Sequence, residues 1–466
     1  MLFSSVPFLY YFLPAVLLVY LIAPKCLKNT VLLLASLVFY AWGEPRYVIV
    51  MLVSVALGYL FGLLIERFRG KKLAKIFLIF SVVSSLSFLV YFKYADFFIS
   101  NFNAVTGLSV PFLQIALPVG ISFYTFQILS YTVDVYRGEV GAQRNPIHLA
   151  TYIALFPQLI AGPIVRYSDI AKQLGKRTHS FEKTAIGIRR FIIGLGKKIL
   201  IADAFASFCS AFTESDEKSV LFFWLYAIAF SLQIYFDFSG YSDMAIGLGK
   251  IFGFDFLENF NYPYISGSIT EFWRRWHISL GTWFRDYVYI PLGGNRVSKW
   301  RGLFNIFVVW MLTGFWHGAS WNFIFWGLFF AICLLIEKTW LLPYLKKAKA
   351  WNHIYVLFLV LISFALFASE DMAALIFQLK GMFGFSETPL ISVQTIYYLR
   401  SYAVVFVIAI LGSTPLLKNA LLSLQKHSVG EKILNIAEPL ALVCLLLVMT
   451  GYLVDGSFSP FLYFRF

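Results

Sequence analysis

Apolar runs of roughly 20 residues, the length an α-helix needs to cross the hydrocarbon core of a bilayer, recur through this sequence and limit its fold. They lie at 7–23, 30–42, 46–65, 76–94, 117–136, 148–163, 219–249, 303–336, 354–368, 402–416 and 436–454. The run 30–42 is short, 117–136 is interrupted by polar residues, and 303–336 is long enough for two crossings. Only 13% of the 466 residues are charged, about half the usual fraction of a soluble domain. This composition excludes a water-soluble globular enzyme. The runs predict an all-α polytopic membrane protein with about ten to twelve crossings, organised as one domain over 1–466.

The positive charges predict which ends of the spans are cytoplasmic. The formal net charge is +14, but Lys and Arg cluster between apolar runs, as cytoplasmic loops require, so nucleic acid is not an expected partner. Residues 66–75 and 346–349 are such clusters, whereas 95–116 contain no Lys or Arg. Both termini are therefore predicted to lie outside the cytoplasm. The first run lacks the flanking features of a signal peptide and is expected to remain as a span.

Two stretches between the spans are poorly suited to cross lipid. Residues 183–206 combine paired cations with an apolar face, as an interfacial helix does. Residues 268–296 are dense in Trp, Tyr and Arg, a composition that is also typical of an aromatic and cationic belt at the membrane surface. Both stretches are predicted to form interfacial or re-entrant helices.

His317 is the most distinctive ionisable residue, because it lies inside the apolar run 303–336. An ionisable side chain at that depth is costly, so it is expected to face protein or a water-filled cavity, and such residues often mark functional sites. Gly314 and Gly318 leave room beside it for a substrate or a neighbouring helix. A structural, hydrogen-bonded imidazole inside the bundle is an equally good interpretation from the residues alone.

His277 lies forty residues upstream, in the Trp- and Arg-rich stretch. Alone it is more typical of an interfacial polar residue. Beside His317 it gains a catalytic interpretation, because an imidazole titrates near pH 6.5 and can accept a hydroxyl proton at physiological pH. Two histidines could then divide the general-base and substrate-orienting roles.

Asp134, Asp237 and Asp243 fall at or within predicted spans. They could form a proton or ion pathway, which would favour a transporter. The preferred interpretation is that they neutralise cations inside the bundle, with Arg274, Arg275 or Arg285 as the expected partners. The four cysteines are far apart and lack metal-ligand spacing, and no nucleotide-binding loop or zinc motif occurs, so no metal is expected.

Several long sequence blocks occur in the order of a known family. They are FPQLIAGPIVRY at 156–167, QIYFDFSGYSDMAIGLGKIFGFDFLENFNYPY at 233–264, EFWRRWHISLGTWFRDYVYIPLGGNR at 271–296 and FWHGASWNFIFWG at 315–327. Together they closely resemble the membrane-bound O-acyltransferase (MBOAT) superfamily. The resemblance is to the bacterial branch of alginate and peptidoglycan O-acetylation, which is related to the membrane protein of teichoic-acid D-alanylation. It implies a ring of tilted helices around a thinned centre, where a cytoplasmic tunnel meets an outer funnel.

The resemblance also implies roles for individual residues and partners. The essential catalytic histidine of the superfamily falls on His317, and a second position that varies among branches falls on His277. The implied activity moves acetyl groups from a cytoplasmic thioester, acetyl-CoA, across a bacterial cytoplasmic membrane to an extracytoplasmic polysaccharide. An extracytoplasmic SGNH-type O-acetyltransferase is the implied protein partner.

The tail at 455–466 is predicted to lie outside the membrane. Its last eight residues, SPFLYFRF, resemble the aromatic C-terminal motif of the small partner protein in teichoic-acid D-alanylation. The tyrosine proposed to hold the acyl group in that motif falls on Tyr463. An aromatic membrane anchor would explain the same residues.

Three other functions remain open from the sequence. D-alanyl transfer to teichoic acid would use the same chemistry with another donor. A transporter of a glycan, lipid or ion would use the buried Asp and His side chains without covalent transfer, and inverted repeats, which would favour it, are not seen. A structural scaffold is least favoured, because it does not require a histidine so deep in an apolar run.

Overall fold

The computed structural model describes residues 1–160 and 162–456, and those residues form helices and connecting turns without a β-strand. The predicted all-α class is confirmed, since 76% of the described residues are helical. Tyr463 and the tail motif lie outside the described residues.

The chain divides into two compact units. Unit 1 comprises Met1–Phe191 and Ser242–Glu258, and unit 2 comprises Ile192–Tyr241 and Asn259–Phe466. The single domain over 1–466 stays a prediction.

Unit 1 is built on aromatic packing. Its helices are α1 Leu13–Ile22, α2 Lys28–Gly43, α3 Val48–Arg67, α4 Lys72–Leu89, α5 Ala95–Thr106, α6 Ile121–Arg137, α7 Pro146–Ala154, α8 Phe156–Leu159 and α9 Tyr167–Gly175. Phe8, Phe39 and Phe156 are buried, with ring centroids 5.4–6.2 Å apart. Helix α10, Phe181–Gly196, leads from unit 1 into unit 2.

Unit 2 contains most of the later helices. They are α11 Asp203–Glu214, the first part of α12 Val220–Ile251, α13 Ile269–Arg275, α14 Ile278–Phe284, α15 Lys299–His317, α16 Trp321–Ile336, α17 Leu342–Leu345, α18 Ala350–Ala368, α19 Met372–Met382, α20 Val393–Gly412, α21 Leu416–Gln425 and α22 Ser428–Val454. Its core joins aromatic side chains from several of these helices, such as Phe272, Trp326 and Phe364. The run 303–336 forms two helices, α15 and α16, as its length predicted.

Seven helical segments in the described part of the chain are long and apolar enough to cross a membrane. They are Val48–Arg67, Lys72–Thr106, Val220–Ile251, Trp321–Leu345, Ala350–Ala368, Val393–Gly412 and Ser428–Val454. The prediction of about ten to twelve crossings exceeded this number, because runs such as those of α2, α6 and α15 form helices that are shorter or more polar.

Glycines allow α10 and α12 to approach each other closely within each unit. In unit 1 a Cβ on Gly187 would lie 2.6 Å from the carbonyl oxygen of Gly247. In unit 2 a Cβ on Gly240 would lie 2.7 Å from the carbonyl oxygen of Gly194. Any larger residue would separate these backbones, so glycine sets the spacing between the two helices.

This packing corrects the expected partners of the buried carboxylates. Asp237 accepts from Lys198 at 2.9 Å in unit 2, and Asp243 accepts from Arg190 at 2.8 Å in unit 1. Arg275 and Arg285 instead pair with Glu271 and Asp286, and Arg274 is exposed. For Asp237 and Asp243 the expected neutralisation inside the bundle is found, but the pairing with Arg274, Arg275 or Arg285 was wrong, because close contact between α10 and α12 places other cations beside these two aspartates.

The two stretches predicted to be interfacial or re-entrant contain buried side chains. Residues 183–206 form most of α10 and the π-helical turn Lys197–Ala202, where Lys198 is only 4% exposed. In 268–296, Phe272 and Trp276 are buried inside unit 2. Their placement at a membrane surface stays a prediction.

We expect substitution of Lys198 by Met to destabilise the protein strongly. It would leave the buried Asp237 carboxylate without this cation, and breaking a buried pair from one side costs about 3–5 kcal/mol. The matched control is Lys250→Met, which removes a partly exposed cation from Asp255 and should cost about 0–1 kcal/mol. Thermal unfolding of both variants in one detergent measures the difference, and equal shifts would contradict the assignment.

Candidate active site

His317 is the last residue of α15 and is enclosed by aromatic rings. Its side chain is 5% exposed, so it faces protein rather than lipid. The ring centroids of Trp316 and Trp326 each lie 5.0 Å from the imidazole centroid, and that of Phe367 lies 5.6 Å away. The imidazole therefore has a defined position in a largely apolar setting.

The glycines beside His317 serve contact between α15 and α16. A Cβ on Gly314 would meet the carbonyl oxygen of Phe323, and a Cβ on Gly318 would meet the Phe323 ring. From α16, a Cβ on Gly327 would lie 2.5 Å from the carbonyl oxygen of Trp310. The sequence allowed either a substrate or a neighbouring helix beside His317, and in the structure the neighbouring helix α16 lies there.

His277 lies at the break between α13 and α14. Its backbone is left-handed, with φ 46° and ψ 53°, which is rare outside glycine and costs energy. Asn259 holds the break, because its carbonyl oxygen accepts from the Ile278 N–H at 3.0 Å and its Oδ1 accepts from the Ser279 hydroxyl at 2.9 Å. The strain is thus maintained by specific hydrogen bonds, as often occurs at functional sites.

The His277 imidazole is buried and neutral. It is 1% exposed, and neither ring nitrogen has a hydrogen-bond partner within the described ranges. The residue lies outside the seven candidate spans, and burial lowers its pKa to about 3. A neutral imidazole offers one N–H donor and one nitrogen acceptor. Buried polar atoms without partners call for an explanation, and a bound reactant would supply one.

Trp316 connects the two histidines. Its ring centroid lies 6.0 Å from that of His277 and 5.0 Å from that of His317. The structure therefore brings together two of the three candidate catalytic residues, although they are forty positions apart in the sequence. The third, Tyr463, lies outside the described residues.

A cavity of about 770 Å³ in unit 2 reaches His277. Its wall includes Trp273 and Arg274 from α13, Arg285 and Thr313, and Lys338 from the segment after α16. Thr313 lies one helical turn, roughly 6 Å, before His317 on α15. The cavity thus touches His277 directly, whereas its wall on α15 includes Thr313 but not His317.

The cavity wall has cations but no arrangement for a metal. Arg285 is paired with Asp286, whereas no carboxylate partner is found for Arg274 or Lys338 among the described residues. Within the same residues, no group of three or more His, Cys, Asp or Glu side chains could hold a metal ion. Cations of this kind suit phosphate groups.

Sequence reasoning missed Lys338 and Asn259. Lys338 directly follows the long apolar run 303–336, and a charged residue at the end of a span can face a cavity. Asn259 carries no local signal, since its role depends on contacts with residues about twenty positions later.

The chain is similar in sequence to known acyltransferases. The pattern of the MBOAT, membrane-bound O-acyltransferase family, matches residues 73–369. A protein of Azotobacter vinelandii named "Probable alginate O-acetylase AlgI" is 39% identical over 499 aligned residues, covering all of both chains. A Helicobacter pylori protein named "Peptidoglycan O-acetyltransferase" is 35% identical over 423 residues, covering 82% of this chain and 80% of the relative.

A more limited similarity extends to D-alanylation. A Bacillus subtilis protein named "Teichoic acid D-alanyltransferase" is 34% identical over 228 residues, covering 46% of this chain and 58% of the relative. The full-length similarity is therefore to the O-acetylating relatives.

We expect Gly327→Ala to destabilise the protein, because the added methyl group would push α16 away from α15 and disturb the His317 end of the hairpin. The control is Gly451→Ala on α22, where a Cβ meets nothing within 4 Å. That change should stabilise the helix by roughly 0.8–1.0 kcal/mol, the difference in helix propensity. Thermal unfolding of both variants measures whether the two substitutions change stability in opposite directions. A stabilising effect of Gly327→Ala would contradict the close contact between α15 and α16.

Proposed function

The chain belongs to the membrane-bound O-acyltransferase family, and on that premise we propose that it moves acetyl groups from cytoplasmic acetyl-CoA to an extracytoplasmic polysaccharide. The chain is a multi-pass membrane protein and an O-acyltransferase. The proposal of acetyl transfer rests on two buried histidines whose rings both contact Trp316. One of them, His277, lies on the wall of a cavity that is also lined by cations.

The cavity fits a phosphate-bearing thioester. Its volume of about 770 Å³ is within the usual range for small-molecule sites, roughly 300–1,000 Å³. Arg274 and Lys338 would bind the phosphates of acetyl-CoA by charge-assisted hydrogen bonds. The apolar wall, with Trp273 and Trp310, would take the acyl-bearing arm toward His277.

The charge pattern favours a cytoplasmic opening. Lys338 and Leu342 lie at the end of the candidate span Trp321–Leu345 that leads directly to Lys346, Lys347 and Lys349. Basic loops of this kind are held on the cytoplasmic side. We therefore propose the bacterial cytoplasmic membrane as the location, with the donor entering from inside.

In the proposed reaction His317 is the general base. It takes the proton from the acceptor hydroxyl as the hydroxyl oxygen attacks the thioester carbon. The new C–O bond forms, the C–S bond breaks, and the imidazolium returns the proton to the departing CoA sulfur. Neutral His277 orients the acyl group, and the Trp316 ring between the two imidazoles must turn aside for the reactants to meet His317.

The acceptor is proposed from the relatives and the tail. Relatives named for alginate and peptidoglycan O-acetylation support a polysaccharide as the final acceptor. The first hydroxyl to receive the acetyl group would be Tyr463 or a residue of an extracytoplasmic SGNH-type transferase. D-alanyl transfer is less favoured, because the teichoic acid relative matches under half of this chain.

We expect His317→Ala to lower acetyl transfer by about 10²–10⁴-fold, the usual contribution of a general base, while the protein stays in membranes at the normal level. The assay supplies radiolabelled acetyl-CoA to membranes and counts label on polysaccharide.

His427→Ala is the control, because His427 is exposed and lies just before α22. It should transfer at the normal rate. Undiminished transfer by His317→Ala would remove the central assignment. Label retained on the denatured chain would support Tyr463 as first acceptor, and label on a separate protein would support the SGNH-type partner.

We expect Arg274→Gln and Lys338→Gln each to raise KM for acetyl-CoA roughly tenfold, from the loss of a hydrogen bond to a charged group. Neither should change KM for S-acetylpantetheine, which lacks the diphosphate. Arg301→Gln, at an exposed position on α15, serves as the control. Equal effects on both donors would show that these cations do not bind phosphate.

A further inference from the structure

Glu337 is a carboxylate buried inside unit 2. It is 0% exposed and begins the π-helical segment Glu337–Leu341, which follows α16. A buried carboxylate is costly unless it is well hydrogen-bonded or paired. Short π-helical segments within helices occur frequently at functional sites. The next residue, Lys338, lines the cavity, so the contacts of Glu337 also affect the cavity wall.

Both carboxylate oxygens hold the start of α13. Oε1 accepts from the Ile269 N–H at 2.6 Å, and Oε2 accepts from the Thr270 N–H at 2.8 Å. Oε2 also accepts from the Thr270 hydroxyl at 2.6 Å. Both oxygens of the carboxylate are therefore used by donors of Ile269 and Thr270.

The helix held in this way carries part of the cavity wall. Thr270, Trp273 and Arg274 lie on α13, and His277 is the second residue after its end. Lys338 directly follows Glu337, and its ammonium lies 3.4 Å from the Tyr289 hydroxyl and 3.3 Å from Asn295 Oδ1. Residues 337 and 338 thus contact both α13 and the segment that follows α14.

We propose that Glu337 is the positioning residue of this cavity, whose carboxylate fixes α13 and thereby sets Trp273 and His277 against the acyl group. The inference rests on the proposed function for its catalytic readout. Glu337 touches neither donor nor acceptor and acts through the backbone of Ile269 and Thr270.

The role requires a carboxylate of this length. A glutamine would present one oxygen and an NH₂ group to the same N–H donors, so two hydrogens would face each other. An aspartate is shorter by one methylene and would not reach both amides. Either change should displace α13, and a misplacement of about 1 Å at a reacting group can cost roughly 10²-fold in rate.

The test compares Glu337→Gln with Glu66→Gln. Glu66 is the matched control, because it also accepts a backbone N–H, from Ala142 at 2.8 Å, and pairs with Arg144, but it lies in unit 1. Folded protein is isolated by size exclusion, and kcat and KM for acetyl-CoA are measured. Hydrogen–deuterium exchange follows the peptide 269–277.

For Glu337→Gln we expect kcat to fall roughly tenfold to hundredfold, KM to change little, and exchange in 269–277 to rise. Glu66→Gln should keep the normal kcat and the normal exchange in that peptide, even if both variants unfold at lower temperature. A normal kcat in folded Glu337→Gln, or an equal loss in both variants, would overturn the proposal.

Thr270→Val provides a second route if Glu337→Gln does not fold. It removes one donor to the carboxylate and should lower kcat by a smaller factor, and a normal kcat would overturn the proposal. Failure of the proposed function has a different signature, in which the unmodified protein does not use acetyl-CoA at all. Exchange in 269–277 then still decides whether Glu337 positions α13.

Discussion

Charged side chains buried among apolar helices must find partners, and this requirement governs the interior of the protein. Lys198 is paired with Asp237, and Glu337 accepts hydrogen bonds from the first residues of α13. Each contact joins segments that are far apart in the sequence, so satisfying a buried charge also fixes the relation between two elements of unit 2. His277 differs, since its buried ring nitrogens have no hydrogen-bond partner in the described part of the chain. A neutral imidazole left in this state is suited to receive a reactant.

The sequence was most informative where an ionisable residue occurred among apolar neighbours. His317 in a long apolar run predicted burial against protein, and its aromatic cage has that character. The length of the run 303–336 predicted the α15–α16 hairpin, because the rise per residue of a helix is fixed. The all-α class followed from apolar runs for the same reason, whereas the predicted ten to twelve crossings exceed the seven candidate spans of the described residues, because some runs form helices that are shorter or more polar.

Partners could not be predicted, because they depend on packing between distant segments. The cations expected beside Asp237 and Asp243 were arginines of the Trp-rich stretch, but the glycines of α10 and α12 bring Lys198 and Arg190 there instead. Asn259 and Glu337 likewise owe their roles to hydrogen bonds across about 20 and about 70 positions. The catalytic roles of His317, His277 and Tyr463 stay predictions.

The proposed mechanism requires the cavity at His277 to hold the thioester donor. A structure determined with a hydrolysis-resistant thioether analogue of acetyl-CoA would show whether it does. We expect the diphosphate beside Arg274 and Lys338, the acetyl carbon at His277 and the Trp316 ring turned away from His317. An analogue bound elsewhere on the chain, or a cavity that stays empty at saturating concentration, would contradict it.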